Sequence, residues 1–407
     1  MQTRLADWIR DTPQGREADA VLRKCVHCGF CLATCPTYTL LGDELDSPRG
    51  RIYLMKEMLE GAAVTWRTQL HLDRCLTCRA CETTCPSGVE YGKLVDIGRA
   101  VVESKVRRAP LDRLRRWLLA KLLPSRGLFG AGLRLGRMFK PLLPRTLRAK
   151  VLPARPAGAW PAPRHSRRML VLAGCVQPSM APSINAAAAR VLDRIGISLV
   201  EAEGAGCCGA VPFHLDYQRD ALGYMRRNID AWWPHVEAGV EAIVVTASGC
   251  GTLVEDYGRL LREDPAYAEK AARVSALAKD IGAVVAAEQG AIAGRVDGKG
   301  RAIAFQSPCS LQHGLKQRGV VESILMQAGF TLTPVRDAHL CCGSAGTYSL
   351  LQPAISQDLL RNKVRALESG RPEAIATANI GCLAHVQSGT ARPVRHWIEI
   401  LDEAWSG

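Results

Sequence analysis

The chain has 407 residues, 47% of them hydrophobic and 23% charged, which is typical of globular proteins and sufficient for two or three domains. The first fifteen residues carry charged side chains, and no run approaches 18 apolar residues. We therefore expect neither a signal peptide nor a transmembrane helix. Sixteen cysteines would suggest disulfides in a small secreted protein, but in a chain of this length they indicate metal-binding thiolates in a reducing cytoplasm.

The net charge of +14 is concentrated in one segment. Residues 101–168 hold 18 Lys and Arg against two acidic residues, a net of +16, and the rest of the chain has a net of −2. Within it, 109–167 is predicted to be a linker with one short helix, because prolines from position 141 onward exclude a long regular element. A cationic, Leu-rich helix suits an anionic membrane surface or an acidic partner subunit, and a solvated, packed linker is the third interpretation. The helix carries Leu111, Leu114, Leu118 and Leu122 on one side, with Arg113, Arg115, Arg116 and Lys121 around the rest.

Two cysteine motifs of the form C-x2-C-x2-C-x3-C-P lie near the N-terminus. Each is the run that holds a bacterial-type [4Fe–4S] cluster: three thiolates bind one cluster, and the fourth, next to the proline, binds the other. Zinc also uses C-x2-C pairs, but a proline-closed run of four cysteines present twice has no zinc rationale. The predicted ligand sets are Cys25, Cys28, Cys31 and Cys85 for one cluster, and Cys75, Cys78, Cys81 and Cys35 for the other.

The segments around these motifs are predicted to be helical. Residues 1–24 and 89–106 fit helices, and a third begins at Pro48 with Ser47 as its N-cap and ends before Gly61. Arg49 and Arg51 lie in its first turn. They lie either beside a cluster or a partner or, as we favour here, in solvent.

From residue 168 onward short apolar strands alternate with helices. Strands are predicted at 169–173, 197–201 and 242–247, with helices at 183–195 and 215–240 between them. This alternation is typical of a parallel sheet covered on both faces.

This half of the chain is duplicated. Cys175, Cys207 and Cys208 recur as Cys309, Cys341 and Cys342, each 134 residues further on, and Arg227-Asn228 recurs as Arg361-Asn362. The predicted fold is α plus α/β, a helical two-cluster, ferredoxin-like module followed by a duplicated parallel α/β pair. The expected domains are 1–108 for the cluster module, 109–167 for the basic linker, and 168–300 and 301–407 for the two α/β copies.

Each copy is predicted to gather four cysteines at the carboxyl ends of its strands, where open α/β sheets bind ligands. The glycine after each adjacent pair permits a tight turn that aims both sulfurs at one point. An iron–sulfur cluster and zinc both fit four thiolates, and inert buried cysteine is the remaining alternative. The candidate metal ligands are Cys175, Cys207, Cys208 and Cys250 in the first copy, and Cys309, Cys341, Cys342 and Cys382 in the second.

The whole chain resembles the iron–sulfur subunits of bacterial glycolate oxidase. The resemblance rests on His27-Cys28-Gly29-Phe30-Cys31, on Ser47-Pro48-Arg49-Gly50-Arg51 and on both Cys-Cys-Gly repeats. The Cys-Cys-Gly proteins of anaerobic glycerol-3-phosphate dehydrogenase and of heterodisulfide reductase have a similar layout. In the reductase family these domains hold non-cubane clusters with a fifth cysteine, where this chain has Leu253 and His385 instead. His385 either replaces a thiolate or, as we favour, is a packed surface residue.

The resemblance implies an electron-transfer subunit that is not catalytic alone. Oxidation of glycolate to glyoxylate needs a flavin, which the resemblance places, as FAD, on separate partner subunits. Electrons would pass through the clusters to a quinone or another acceptor, with the protein peripheral on the inner face of the plasma membrane. An iron–sulfur subunit of a glycerol-3-phosphate or D-lactate dehydrogenase, and a catalytic heterodisulfide-reductase-like subunit, are the alternatives. A nucleic-acid partner is not expected.

Overall fold

The computed structural model describes residues 1–144, 148 and 151–405. Two compact units are formed, and the first combines the N-terminal part, Met1–Arg116, with a distant segment, His339–Lys363. The second comprises Trp117–Ala338 and Val364–Gly407. The Cys341-Cys342 pair therefore belongs to the same unit as the two N-terminal motifs, an arrangement that a linear division into domains does not include.

The N-terminal part is helical, as predicted. The helix at Pro48 begins where expected, because the Ser47 hydroxyl caps it by accepting a hydrogen bond from the Gly50 amide at 2.9 Å. Its residues Met55 and Leu59 are fully buried in the core of this unit. The helices that precede the first strand are α1 (Asp7–Arg10), α2 (Pro13–Lys24), α3 (Pro36–Leu41), α4 (Pro48–Leu59), α5 (Trp66–Asp73), α6 (Ala80–Thr84), α7 (Tyr91–Lys105), α8 (Pro110–Leu122) and α9 (Arg126–Met138).

Over the described residues, eight parallel strands form two four-stranded sheets, both in the second unit. The sheet orders are β2-β1-β3-β4 and β6-β5-β7-β8, so the second copy repeats the strand order of the first. This confirms the predicted duplicated α/β fold. The strands are β1 (Arg167–Val171), β2 (Ile197–Glu201), β3 (Ile243–Val245), β4 (Ala278–Asp280), β5 (Ala302–Gln306), β6 (Thr331–Leu332), β7 (Ala374–Thr377) and β8 (Val394–His396).

Helices join and cover these strands. Leu170 of β1 lies beside Ile243 of β3 in parallel register, and both side chains are fully buried. Ile303 of β5 pairs with Ala374 of β7 in the same way in the second sheet. The helices that follow β1 are α10 (Gln177–Met180), α11 (Ser183–Arg194), α12 (Ala210–His214), α13 (Gln218–Glu237), α14 (Ser248–Glu255), α15 (Tyr257–Leu260), α16 (Ala268–Leu277), α17 (Ile281–Ala287), α18 (Gln289–Ile292), α19 (Val320–Gln327), α20 (Tyr348–Leu351), α21 (Pro353–Glu368), α22 (Ile380–Gln387) and α23 (Trp397–Glu403).

The basic segment contains the predicted helix, α8, and a second helix, α9, that we did not predict. Of the four basic residues around α8, Arg116 is buried and bonded to Asp73 and Asp112, and Lys121 is ion-paired with Asp220. Residues 145–147, 149 and 150 of the predicted linker lie outside the described residues. Nowhere in the described part of the chain is a helix both long and apolar enough to span a membrane. The two helices of the basic segment expose large apolar side chains: Leu111, Leu114, Trp117, Leu118 and Leu122 on α8, and Leu128, Leu135 and Met138 on α9.

Candidate metal centres

The N-terminal cysteines line two adjacent cavities, which we name cavity A and cavity B. Cavity A is lined by three thiols of the first motif and two of the second, and cavity B by three thiols of the second motif and the last thiol of the first, so the chain crosses over between the motifs. Cys81, Pro48 and Tyr91 line both. The other cysteines are Cys25, Cys28, Cys31 and Cys85 in cavity A, and Cys35, Cys75 and Cys78 in cavity B.

Left-handed backbone shapes both cysteine loops. His27 and Gly29 have φ of 57° and 84° in the first loop, and Thr77 and Arg79 have φ of 53° and 58° at the matching positions of the second. Residues other than glycine rarely adopt this conformation. This left-handed conformation, which recurs at matching positions, curves each loop so that its first three cysteines reach the same cavity.

A buried ion-pair network lies beside cavity B. Arg51, which lines the cavity, is only 1% exposed, so the predicted solvated position is wrong for this residue. Its Nη2 donates to Asp46 Oδ1 at 3.2 Å, and its Nε donates to the His71 carbonyl oxygen at 2.7 Å. Asp46 is fully buried and also accepts from Arg74 Nη1 at 2.7 Å. The Arg51 guanidinium is thus fixed in place out of water.

Cys75 receives further polar contacts. The Tyr91 hydroxyl donates to its sulfur at 3.6 Å, and the Thr77 amide does so at 3.4 Å. Arg99 is buried and donates to the Cys75 carbonyl oxygen at 2.6 Å. Burial would raise the pKa of Cys75, but the guanidinium groups of Arg51 and Arg99 lower this pKa below the ordinary value. The thiolate is therefore more stable at this position than in an ordinary cysteine.

The cysteines of cavity A are more exposed than those of cavity B. Burial raises the pKa of Cys25, and burial followed by the neighbouring Cys25 raises the pKa of Cys31 to about 11. Cys28 is exposed, and Val26 and Phe30 on either side of it are 67% and 64% exposed. The guanidinium of this cavity, Arg49, is partly exposed and ion-paired with Glu44 at 2.8 Å. Metal binding at cavity A therefore has to displace protons from thiols whose pKa values are raised.

The first Cys-Cys-Gly quartet is brought together in the second unit. Hydrogen bonds link Cys175 to Cys207, Cys207 to Cys208, and Cys208 to Cys250. The bond with Cys207, and then burial, raises the pKa of Cys175 well above its usual range. For Cys208 the bond with Cys207 lowers the pKa, but the bond with Cys250 and complete burial outweigh it. Four sulfurs from distant sequence positions therefore converge at the strand ends.

Two buried side chains fix the first Cys-Cys-Gly loop. Asn228 Nδ2 donates to the Cys207 carbonyl oxygen at 2.9 Å, and Asn228 Oδ1 accepts from the Gly206 amide at 2.8 Å. The Tyr257 hydroxyl donates to the Cys208 carbonyl oxygen at 2.7 Å. Gly209 has φ of +93°, and a Cβ there would lie 3.0 Å from the Ala221 carbonyl oxygen, so the turn needs glycine.

The second quartet is divided between the units. Cys341 and Cys342 lie in the first unit, whereas Cys309 and Cys382 lie in the second. The turn again needs glycine, because Gly343 has φ of +89° and a Cβ would lie 2.6 Å from the Ser356 carbonyl oxygen. The Ser356 hydroxyl donates to the Gly343 carbonyl oxygen at 2.8 Å.

Tyr348 attaches this loop to the helical core of the first unit. Its hydroxyl donates to the carbonyl oxygen of Arg74 at 2.9 Å, next to Cys75. It lies within electrostatic range of both Cys75 and Cys341, and burial raises its pKa above the ordinary value. The second Cys-Cys pair is thereby held near a thiol of cavity B.

Several of these residues escaped the sequence reasoning. Arg51 has a signal, since it shares a helix face with Met55 and Met58, four and seven residues on. Asn228 has one too, because it belongs to the repeated Arg-Asn pair. Tyr348 has none. His385, favoured as a surface residue, is 3% exposed within α22, so that interpretation is wrong.

Comparison with known proteins assigns families to these regions. Residues 21–89 match the 4Fe-4S dicluster domain, and residues 169–255 and 303–387 each match the cysteine-rich domain. The chain is 55% identical over 407 residues to the glycolate oxidase iron-sulfur subunit of Escherichia coli (strain K12), covering 99% of both chains. It is 29% identical to the probable glycolate oxidase iron-sulfur subunit of Bacillus subtilis (strain 168), over 94% of this chain and 92% of the relative. Lactate utilization protein A of Geobacillus thermodenitrificans (strain NG80-2) is 24% identical, over 54% of this chain and 92% of the relative.

Proposed function

Since the chain belongs to the family of glycolate oxidase iron-sulfur subunits, we propose that it is the electron-transfer subunit of a multi-subunit oxidase acting on glycolate or a close 2-hydroxy acid. The observation that carries this proposal is the pair of adjacent cysteine-lined cavities with a shared wall. Two redox centres so placed conduct electrons without any substrate site in the chain.

Each cavity holds one [4Fe–4S] cluster in this proposal. The donor sets fit, because each cavity is lined by at least four thiols drawn from both motifs, and all sixteen cysteines are free of disulfides. When bound, each cluster supplies a one-electron carrier. The ligands are Cys25, Cys28, Cys31 and Cys85 in cavity A, and Cys75, Cys78, Cys81 and Cys35 in cavity B.

Oxidation of glycolate to glyoxylate removes two electrons, and a flavin is the cofactor that can accept a hydride and pass electrons on singly. We place this flavin, as FAD, on partner subunits. The exposed Cys28, between the exposed apolar side chains of Val26 and Phe30, offers such a flavoprotein access to the edge of cavity A.

The test is anaerobic purification of the full chain, alone and with its flavoprotein partners. We expect at least about eight irons per chain, four for each N-terminal cluster. Glycolate-dependent dye reduction should need the partners. Cys78→Ser should lower the iron content, whereas the control Ser87→Ala, which alters the wall of cavity A without removing a thiol, should not. Zinc in place of iron, or glycolate oxidation by this chain alone, would contradict the proposal.

We place a further metal centre, an iron–sulfur cluster in preference to zinc, in the Cys-Cys-Gly domains. Support comes from the hydrogen-bonded thiols of the first quartet and from the Gly209 and Ala210 amides, which donate to the Cys207 and Cys208 sulfurs at 3.4 Å. The ligands would be Cys175, Cys207, Cys208 and Cys250, and in the second copy Cys309, Cys341, Cys342 and Cys382. Changing Cys207 and Cys341 to Ser, singly and together, should remove iron and slow electron delivery to a quinone. Unchanged iron and turnover would make these cysteines structural.

We further propose that α8 attaches the protein to the anionic inner face of the plasma membrane. Its exposed leucines can enter the lipid interface while Arg113 and Arg115, both exposed, face the headgroups. Replacing both arginines by Glu should abolish sedimentation with vesicles containing anionic lipid. Replacing Arg262 and Arg361, exposed on other surfaces, is the control. If vesicle binding persists but co-purification with the flavoprotein is lost, the surface binds an acidic partner protein instead.

A further inference from the structure

We propose that the buried side chains of Arg51 and Arg99 raise the reduction potential of the cluster in cavity B above that of the cluster in cavity A. This inference rests on the proposed function, because it assumes that both cavities hold clusters. The two arginines place positive charge near the cluster and do not bind it.

The physical reason is the change of charge on reduction. Reduction adds one negative charge to an iron–sulfur cluster, so a nearby cation stabilises the reduced form, and this effect grows as water is excluded. Net charge, hydrogen bonds to sulfur and solvent exposure all shift cluster potentials in this way. The two cavities differ in each of these properties.

Arg51 supplies a fixed cation on one side of cavity B. Its side chain is 1% exposed, and three oxygen atoms accept its hydrogen bonds: Asp46 Oδ1, the His71 carbonyl oxygen and Thr37 Oγ1. It lies within electrostatic range of Cys75 and Cys35. Asp46 offsets part of this charge but also pairs with Arg74 at 2.7 Å, so two cations share one carboxylate.

Arg99 supplies a second cation. It is 9% exposed and donates to three neutral oxygens, the carbonyls of Leu72 and Cys75 and the Thr77 hydroxyl, at 2.6 to 2.9 Å. These bonds hold the guanidinium against the backbone of the second cysteine loop. Asp73 lies within electrostatic range of Arg99, but it is itself paired with Arg108 and Arg116.

The cations near cavity A are less buried. The Met1 ammonium, which is partly exposed, donates to the Cys25 carbonyl oxygen at 2.8 Å. Arg49, the one arginine that lines this cavity, has a side chain that is 34% exposed and ion-paired with Glu44. Water and the carboxylate therefore screen its charge. In addition, Cys28 of this cavity is exposed, whereas Cys75 of cavity B is buried and accepts a hydrogen bond from Tyr91.

The same region contains Asp43, Asp46 and His71, whose ligand atoms lie within 4.8 Å of one another. A divalent cation there would compete with Arg51 and Arg74 for the Asp46 carboxylate. We therefore assign Asp46 to holding the arginines in place.

The test is a redox titration, followed by electron paramagnetic resonance, of the full chain purified anaerobically. Cys28→Ser and Cys78→Ser assign the two N-terminal signals to cavity A and cavity B. In the wild type, the signal of cavity B should have the higher potential. The opposite order, or equal potentials, would overturn the inference whether or not any arginine variant folds.

The arginine variants then locate the cause. Arg99→Gln, which keeps a donor for the carbonyl oxygens, should shift the cavity B signal to lower potential. Arg99→Lys, which keeps the positive charge, should have a potential close to that of the wild type. Arg51→Lys should stay close to wild type, and the control Arg49→Gln should leave the cavity B signal unchanged. Equal potentials in Arg99→Gln and wild type would refute a role for this charge. Absence of both cluster signals from the wild type would instead refute the proposed function.

Discussion

The two Cys-Cys-Gly repeats share a strand order and a glycine turn, but they hold their cysteine pairs with different partners. In the first copy Asn228 and Tyr257, from the same α/β unit, bond the loop carbonyls. In the second copy the Ser356 hydroxyl bonds the Gly343 carbonyl oxygen, and Tyr348 donates instead to the carbonyl oxygen of Arg74, next to the second N-terminal cysteine motif. Asn362, the counterpart of Asn228, is exposed.

This difference shows that the duplication preserved the fold and the cysteines while the surroundings diverged. The first quartet is complete within one unit, so its four thiols can respond as one site. The second pair of cysteines is built into the cluster module instead. The first copy thus holds its cysteine pair with residues of its own unit, whereas the pair of the second copy is held within the unit that contains the N-terminal motifs.

The largest loss of stability should follow substitution of the two turn glycines, one in each copy. Gly343→Ala should destabilise the protein by about 3 kcal/mol, because the new Cβ would meet a carbonyl oxygen at 2.6 Å in a left-handed conformation. Gly209→Ala, with a closest approach of 3.0 Å, should cost less, about 2 kcal/mol. Urea unfolding measures both, and Gly223→Ala, in open space on α13, is the control. Equal losses at the two positions would mean that the turns tolerate strain alike.

The next largest loss of stability should distinguish Asn228 from Asn362, its counterpart in the second copy. Asn228→Ala should cost about 2 kcal/mol, because the Gly206 amide and the Cys207 carbonyl oxygen would be left without their partners in a buried site. Asn362→Ala should change the free energy of unfolding by less than about 0.5 kcal/mol, since this side chain is exposed. If both variants lose the same stability, the two copies are held alike after all.

A smaller effect should follow loss of each tyrosine hydroxyl. Tyr257→Phe and Tyr348→Phe each remove one hydrogen bond to a carbonyl oxygen, worth about 1 kcal/mol. Hydrogen exchange should locate the change. Tyr257→Phe should speed amide exchange at 205–210, and Tyr348→Phe should speed it at 341–348 and around Arg74. Exchange that rises in the wrong loop would show that the tyrosines do not fix the loops as described.

The smallest effect concerns a bond that joins the copies, from His396 Nε2 at the end of β8 to the Thr246 carbonyl oxygen, at 2.9 Å. Burial lowers the pKa of His396 to about 4, so the folded protein prefers the neutral ring. This stabilisation is complete above about pH 6.5, the unfolded pKa, and is lost as the pH falls toward 4. The contribution of His396 to stability should drop by roughly 0.7 kcal/mol between pH 7 and pH 6. The buried Asp280, whose pKa is raised by burial to about 7, acts in the opposite direction, so the measurement is the difference in pH dependence between wild type and His396→Gln. An identical pH dependence of the two proteins would contradict this assignment.

Sequence reasoning predicted what depends on local spacing. The cysteine runs, the Ser47 cap and the strand 197–201 all follow from residues close together in the chain. The burial of Arg51 could not be derived from spacing, because its counter-ion Asp46 and acceptor His71 are brought together only by tertiary packing. The attachment of Tyr348 to Arg74 depends on residues 274 positions apart and leaves no periodic trace.

The return of residues 339–363 to the first unit also bears on how the protein is made. About 220 residues separate this segment from the rest of its unit, so a ribosome adding roughly 5–20 residues per second needs some 10 to 45 seconds to cross the gap. During that interval the eight N-terminal thiols have already left the tunnel, but Tyr348 has not yet been synthesised. The first unit can therefore close only after residues 339–363 have been synthesised, which leaves its cysteines open to the factors that deliver iron and sulfide.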